Sequence, residues 1–258
     1  MKANRKLWAT ATICVALVAG VTGCSQDKDK AAADPFAGLT ADAIADKAVT
    51  TTKTATSLRM NGTGKTDGQD MTTDFTLDSK GSCKGSMSAG TGGDGKAEIL
   101  RTGGFTYMKG DDAFWRSTGG EEGASADEAG AMSALLKGRW MKMPSEGDDN
   151  DLGSLCDLKT MIKEMDEEDK SDRTGLTRGE DADVDGTAAT TLTKKKGAET
   201  TTFYVAKEGK PYVLRVVKAG GKEPGTVTFS EFDKPLTVAA PPADQIVDMA
   251  ELAKLGGS

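Results

Sequence analysis

The stretch Asp181-Ala182-Asp183-Val184-Asp185-Gly186 sets three carboxylates at alternate positions before a glycine. That is the first half of an EF-hand calcium loop, where alternate oxygens converge on the ion and the glycine permits a sharp turn. The twelfth position of such a loop needs a bidentate glutamate and here holds Leu192, so the stretch reads as a turn between strands. Glu121-Glu122 and Asp148-Asp149 are carboxylate pairs inside polar runs, with no sign of the cleft that separates two pKa values into an acid and a base. The acidic run from Glu164 to Asp172, "EMDEEDKSD", reads as a solvated helix end and loop. The chain has no histidine, which excludes serine-histidine-aspartate and cysteine-histidine catalysis, and no glycine-rich phosphate loop of the required spacing is present. These residues call for no catalytic group, no metal and no cofactor, and the chain reads as a non-enzyme.

The cysteines carry more. Cys24 ends an apolar run, Leu7 to Thr22, that follows Lys2, Arg5 and Lys6 and is too short and too rich in small residues for a membrane span. Val21-Thr22-Gly23-Cys24 resembles a bacterial lipobox, in which signal peptidase II cuts before a cysteine diacylglycerated on sulfur; Thr22 is a less common occupant of its position. The competing reading is an uncleaved anchor, or an ordinary signal with a chance cysteine. Residues 1–23 are therefore expected to be a lipoprotein signal peptide, Cys24 the lipidated first residue, 24–36 a flexible tether and 37–258 a single domain. Each buried methylene contributes about 0.8 kcal/mol, so two or three acyl chains would anchor the mature chain to the outer face of the cell membrane.

Cys14 leaves with the signal, so Cys83 and Cys156 are the two thiols of the mature domain. In an oxidising exterior this pair reads as one disulfide, against the alternative of two free buried thiols. A zinc site is disfavoured, because two thiolates without histidine lack the remaining usual ligands. Losing Lys2, Arg5 and Lys6 takes the formal net charge from −7 to −10, which argues against nucleic acid as a partner and against electrostatic adhesion to anionic lipid.

Periodicity supplies the elements. Thr40 caps a predicted helix over Ala41 to Thr54 with Ile44, Ala45, Ala48 and Val49 at helical spacing. From Ser57 the period becomes two, through Leu58, Met60, Met71, Phe75, Leu77, Cys83 and Met87. Glu98 to Ser117 is expected to form three strands about Gly103-Gly104 and Gly110-Asp111-Asp112. A capping box at Ser125 to Glu128 should open a helix with Met132, Leu135 and Leu136 that stops at Gly138, and a second helix is expected from Ser154 to Glu168 with Leu155, Leu158, Ile162 and Met165 on one face. Strands return in a hairpin about Glu208-Gly209-Lys210 and in a strand placing Val227 and Phe229 on one face. Strand runs broken by a helical insert indicate an α+β fold with an antiparallel sheet.

The segments "GGFTYMKGDDAFW", "GRWMKMP", "CDLKTMI", "GEDADVDGT" and "FSEFDKPLTVAAPPADQIVD" resemble the actinobacterial lipoproteins of the LolA/LprG-like superfamily, over most of residues 40 to 250. The resemblance implies a strongly curved antiparallel β-sheet, a half-barrel, with helices covering its concave face. It also implies space between sheet and helices for acyl chains, and a role in carrying lipids or lipoproteins through the envelope, or in sensing and regulation. One departure is the segment after "VDG": many relatives place histidine and tyrosine there, where this chain has "TAATTLTKKK". The residues expected to line a lipid cavity are Met60, Phe75, Leu77, Met87, Leu135, Leu136, Leu158, Ile162 and Met165; the same periodicity is met if they fill a core. The function expected is non-covalent carriage of a lipid or other hydrophobic ligand by a membrane-tethered monomer. The alternative is a ligand-free regulatory lipoprotein that contacts an envelope protein partner.

Overall fold

The computed structural model describes residues 33–66, 68–90, 95–118, 130, 133–145, 156–168 and 173–256. The signal, Cys24, the capping box at Ser125 to Glu128, Glu121-Glu122 and Asp148-Asp149 lie outside them. One compact unit runs from Asp34 to Ser258. It begins ahead of the expected boundary at 37 because Phe36 is 1% exposed in the core and Asp34 pairs with Arg178 at 2.8 Å.

Helix α1 (Ala41–Thr52) starts where Thr40 accepts a hydrogen bond from the Ala43 N–H, and buries the face carrying Ile44, Ala45, Ala48 and Val49. Thr52 at its end donates to the Ala48 carbonyl and accepts from the Val213 N–H, which ties the helix to the sheet. A meander follows: β1 (Ser57–Thr66), β2 (Gln69–Asp78), β3 (Cys83–Gly90), β4 (Gly95–Thr102) and β5 (Phe105–Gly110). The expected third strand of Glu98–Ser117 is instead helix α2 (Asp112–Thr118). Asp111 turns the chain by accepting from the Phe114 N–H at 2.7 Å, and the Phe114 and Trp115 rings then close over Gly110, where a Cβ would lie 2.6 Å from the Phe114 ring.

Residues 133–136 are helical and end at Gly138, whose φ of +71° suits a helix stop. Strand β6 (Trp140–Pro144) pairs with β5, and helix α3 (Leu158–Glu168) starts at Asp157, which accepts from the N–H groups of Lys159 and Thr160. A second meander comprises β7 (Thr177–Val184), β8 (Thr187–Lys196), β9 (Glu199–Ala206), β10 (Val213–Ala219) and β11 (Gly225–Ser230). Its first turn is Asp185-Gly186, both at positive φ, so the half calcium loop is a hairpin turn. Residues 231–245 then cross the outer face: the Ser57 hydroxyl donates to the Lys234 carbonyl and the Thr102 hydroxyl to that of Val238. The chain ends in β12 (Ile246–Asp248) and α4 (Met249–Gly256).

The strands form one 12-stranded sheet in the order β12-β6-β5-β4-β3-β2-β1-β11-β10-β9-β8-β7. The expected strongly curved antiparallel half-barrel is therefore corrected. The sheet is open and mixed: β12 runs parallel to β6, and the edge strands β12 and β7 do not pair with each other among the described residues. The crossing segment 231–245 connects β11 to the edge strand β12, and the two meanders lie side by side through the β1–β11 pair. The α+β class stands. Ile44 and Val49 of α1, Phe114 of α2, Leu136, and Leu158 and Ile162 of α3 share one core with Leu58, Phe75, Leu77, Ile99, Phe203 and Phe229 of the sheet.

Candidate functional site

Of the nine residues expected to line a cavity, Phe75, Leu77, Leu136, Leu158 and Ile162 are buried in that core, and Met60 and Met87 pack against it half-buried. Leu135 is 36% exposed, and the Met165 side chain lies outside the described residues. Seven of the nine therefore lie in or against the packed core. Leu158 and Ile162 also border a hollow of about 310 Å³ with Ala55, Ser79, Lys53, Lys159 and Lys163. A wider hollow of about 1150 Å³ over Lys84, Lys96, Glu98 and Lys109 is charged, and it suits an apolar ligand poorly.

The apolar groove lies elsewhere on the core face of the sheet, and glycines make it. Strand register sets Phe203, Val216, Val227, Gly62, Thr73 and Met87 in one row across β9, β10, β11, β1, β2 and β3. The next row outward runs Lys194, Thr201, Lys218, Gly225, Gly64 and Met71. Side chains on alternate positions of a strand share a face, so Leu58, Met60, Gly62 and Gly64 all point to the core side. At Gly62, Gly64 and Gly225 there is nothing to point. The result is a trough of about 320 Å³, floored by those glycines and walled by Met71, Thr73, Val216, Val227 and Phe229. A volume near 300 Å³ is at the small end of ligand pockets, the size for one slim apolar chain.

The floor is closely flanked by its neighbours, with no room at these positions for a side chain. A Cβ at Gly62 would lie 2.8 Å from the Thr73 hydroxyl, and one at Gly225 would lie 3.0 Å from the Thr63 carbonyl oxygen. The mouth is polar, with Lys65, Thr66, Lys218 and Glu223 at the β1–β2 and β10–β11 turns. Lys65 is held by Asp70 at 2.6 Å. None of the nine expected residues lines the trough. The signal that could have found it is "NGTGK", glycine at every second position of a strand, where an inward side chain is otherwise due.

Cys83 of β3 and Cys156 ahead of α3 are disulfide-bonded, with Cα atoms 5.4 Å apart and both residues fully buried. A second fixed point lies at the same end of the strands, since Cys83 shares a register row with Leu77 and Leu58 and Thr56 directly precedes β1. The Asp233 carboxylate accepts from the Thr56 N–H and hydroxyl, from Lys210 at 2.8 Å and from the Tyr212 hydroxyl at 2.7 Å. Lys210 first, then the Thr56 N–H and Tyr212, hold the Asp233 carboxyl well below the usual carboxylate range, and the same carboxylate raises the Lys210 pKa. Tyr212 stacks on Phe232 with ring centroids 4.0 Å apart. This cluster pins the start of the crossing segment to the β9–β10 hairpin. It has no opening onto the trough lining. Among the described residues no group of three or more Cys, Asp or Glu side chains is arranged to hold a metal ion, and no helix is long and apolar enough to cross a membrane.

No family model matches the sequence, and no curated protein matches it. Solved structures do. The chain is similar to LprF from Mycobacterium bovis, with a TM-score of 0.50 at 15% identity over 79% of this chain and 97% of that one. It also matches the Mycobacterium tuberculosis lipoprotein LppX, with a TM-score of 0.46 at 15% identity over 77% and 97% of the two chains. A further match is the MucA/MucB complex of Pseudomonas aeruginosa, with a TM-score of 0.32 at 15% identity over 80% and 59%. The likeness to LprF shows a shared fold; at that identity it does not assign a ligand.

Proposed function

We propose that this protein is an extracytoplasmic lipoprotein, tethered through acylated Cys24, that binds the apolar chain of a lipid or other amphipathic molecule non-covalently and carries it within the cell envelope. The observation that carries the reading is the glycine-floored trough, an apolar furrow built into the face of the sheet that otherwise forms the core. Binding there makes and breaks no bond. Affinity comes from apolar burial, about 0.8 kcal/mol for each methylene removed from water. The disulfide and the Asp233 cluster fix the end of the sheet away from the trough mouth, and the chain shares its fold with LprF.

The test is uptake of a dansyl-labelled fatty acid by detergent-free protein, together with mass spectrometry of organic extracts. Val227→Phe adds a ring to the trough wall and is expected to weaken dansyl-lipid binding tenfold or more, about 1.4 kcal/mol, while unfolding stays cooperative. Undiminished binding by this variant rules out the trough as the site. A protein that carries no lipid from its host and takes up none moves the function to the ligand-free regulator that contacts another envelope protein.

A further inference from the structure

The trough opens where three hairpin turns come together, and these turns hold an excess of positive charge in an otherwise acidic chain of formal net charge −7. The register row Lys194, Thr201, Lys218, Gly225, Gly64 and Met71 marks the last core-facing positions before the β8–β9, β10–β11 and β1–β2 turns. Just beyond it stand Lys195, Lys196 and Lys222, all exposed. Among the described residues these three enter no ion pair; by sequence the three turns carry Lys65, Lys194, Lys195, Lys196, Lys218 and Lys222 against four carboxylates, Asp67, Asp70 (paired with Lys65), Glu199 and Glu223. Several cations elsewhere are matched, as Arg59 with Asp74, Lys142 with Asp248, Lys207 with Asp181, Lys210 with Asp233 and Arg215 with Asp185. Lys47, Lys80 and Lys84 also enter no ion pair among the described residues; what sets the turn lysines apart is their clustering beside the trough mouth.

We propose that this turn-bearing end of the sheet docks on the surface of a bilayer containing anionic phospholipid, with the mouth of the trough at headgroup level. The overall negative charge does not prevent this. Fields from distant carboxylates are screened beyond about 8–10 Å at physiological salt, so the local lysines decide the interaction. Each lysine at such a surface strengthens partitioning about fivefold. Reach is sufficient as well. Residues 24–33 extend up to about 35 Å, and Asp34 is fixed to Arg178, whose register partner Leu192 precedes the Lys194–Lys196 end of β8 by two to four residues. An apolar chain leaving the bilayer at this mouth would enter the trough without crossing water. The inference rests on the carrier reading for its purpose but not for its test.

The test is co-sedimentation of the mature chain, from residue 24 with Cys24→Ser so that no acyl chain contributes, with vesicles of phosphatidylcholine alone or mixed with phosphatidylglycerol. Binding is expected on the mixed vesicles alone and should disappear at about 1 M salt, where the screening length falls to about 3 Å. The triple change Lys195→Gln, Lys196→Gln, Lys222→Gln should lower partitioning about a hundredfold. The control Lys47→Gln, Lys80→Gln, Lys84→Gln removes the same charge elsewhere and should leave it unchanged. Equal binding to both vesicle types, no binding to either, or equal loss in the two triple variants overturns the proposal. Dansyl-lipid uptake measured without vesicles reports on the carrier reading separately.

Discussion

Asp233 has a φ of +60°, in the left-handed region that aspartate and asparagine tolerate better than most residues, and its carboxylate holds four donor groups in place. Asp233→Ala leaves Thr56 and Tyr212 without their acceptor and is expected to destabilise the domain by about 2 kcal/mol, with the exposed Lys210 contact contributing little of this. Urea unfolding of the two proteins at pH 7 checks the value. The pH dependence follows from the direction of the shift. A carboxyl whose folded pKa lies below its unfolded value stabilises fully above about pH 4 and loses that contribution as pH falls through the folded value. The stability gap between wild type and Asp233→Ala should therefore hold from neutral pH to about pH 4 and narrow in stronger acid; a gap independent of pH down to about pH 1 would count against the ionised carboxylate as its source. Neither this cluster nor the trough was legible residue by residue. The periodicity that singled out Met60, Phe75 and Leu158 reports burial, and burial is shared by a wall and a core. Gly62, Gly64 and Gly225 act through what they lack, which leaves no apolar period to detect.

Among the elements, α3 depends on a covalent tie. The disulfide joins its approach at Cys156 to β3 across a separation of 73 residues, and Leu158 and Ile162 bury the helix face that follows. Closing a loop of that length stabilises by about 4 kcal/mol when the unfolded chain is the state constrained. The Cys83→Ala, Cys156→Ala double variant should lose roughly that amount, and amide exchange in Leu158–Glu168 should speed up more than exchange in the central strands. Equal acceleration in both regions would show that the tie steadies the whole domain and not this helix. Elements of this kind were readable where one pattern ran long enough: α1 with its Thr40 cap, the alternation through β1 and β2, and the stripe of α3. Short pieces were not. In Asp112–Thr118 two aromatics beside a polar turn look like a strand, and the Asp111 cap together with the space at Gly110 decides for a helix. The parallel pairing of β12 with β6 joins residues over a hundred positions apart, beyond the reach of any local period.

At the scale of the molecule, the domain is two antiparallel meanders, β1–β6 and β7–β11, whose strands meet at a single antiparallel pair, β1 with β11. That pair is also where the inward side chains are missing, at Gly62 and Gly64 on one strand and Gly225 on the other. Beyond the Met60–Phe229 pair, the core face of the seam thus lacks cross-strand side-chain contacts, which are the unit of stabilisation between strands. A ligand in the trough touches Met71 and Thr73 of one meander and Val216, Val227 and Phe229 of the other, supplying the apolar contact that the glycines omit. Binding should therefore act on the seam first. At a free ligand concentration of about 100 Kd the folded state gains roughly 2.7 kcal/mol, visible as a higher unfolding temperature. Hydrogen exchange should locate the effect: with a saturating dansyl fatty acid, amides of Arg59–Gly64 and Gly225–Ser230 should gain more protection than those of β4, β5 or β8. Protection centred instead on α3 and the hollow beside Leu158 would place the ligand between helix and sheet, and the Gly62 and Gly64 rows of the seam would then gain no apolar contact from it.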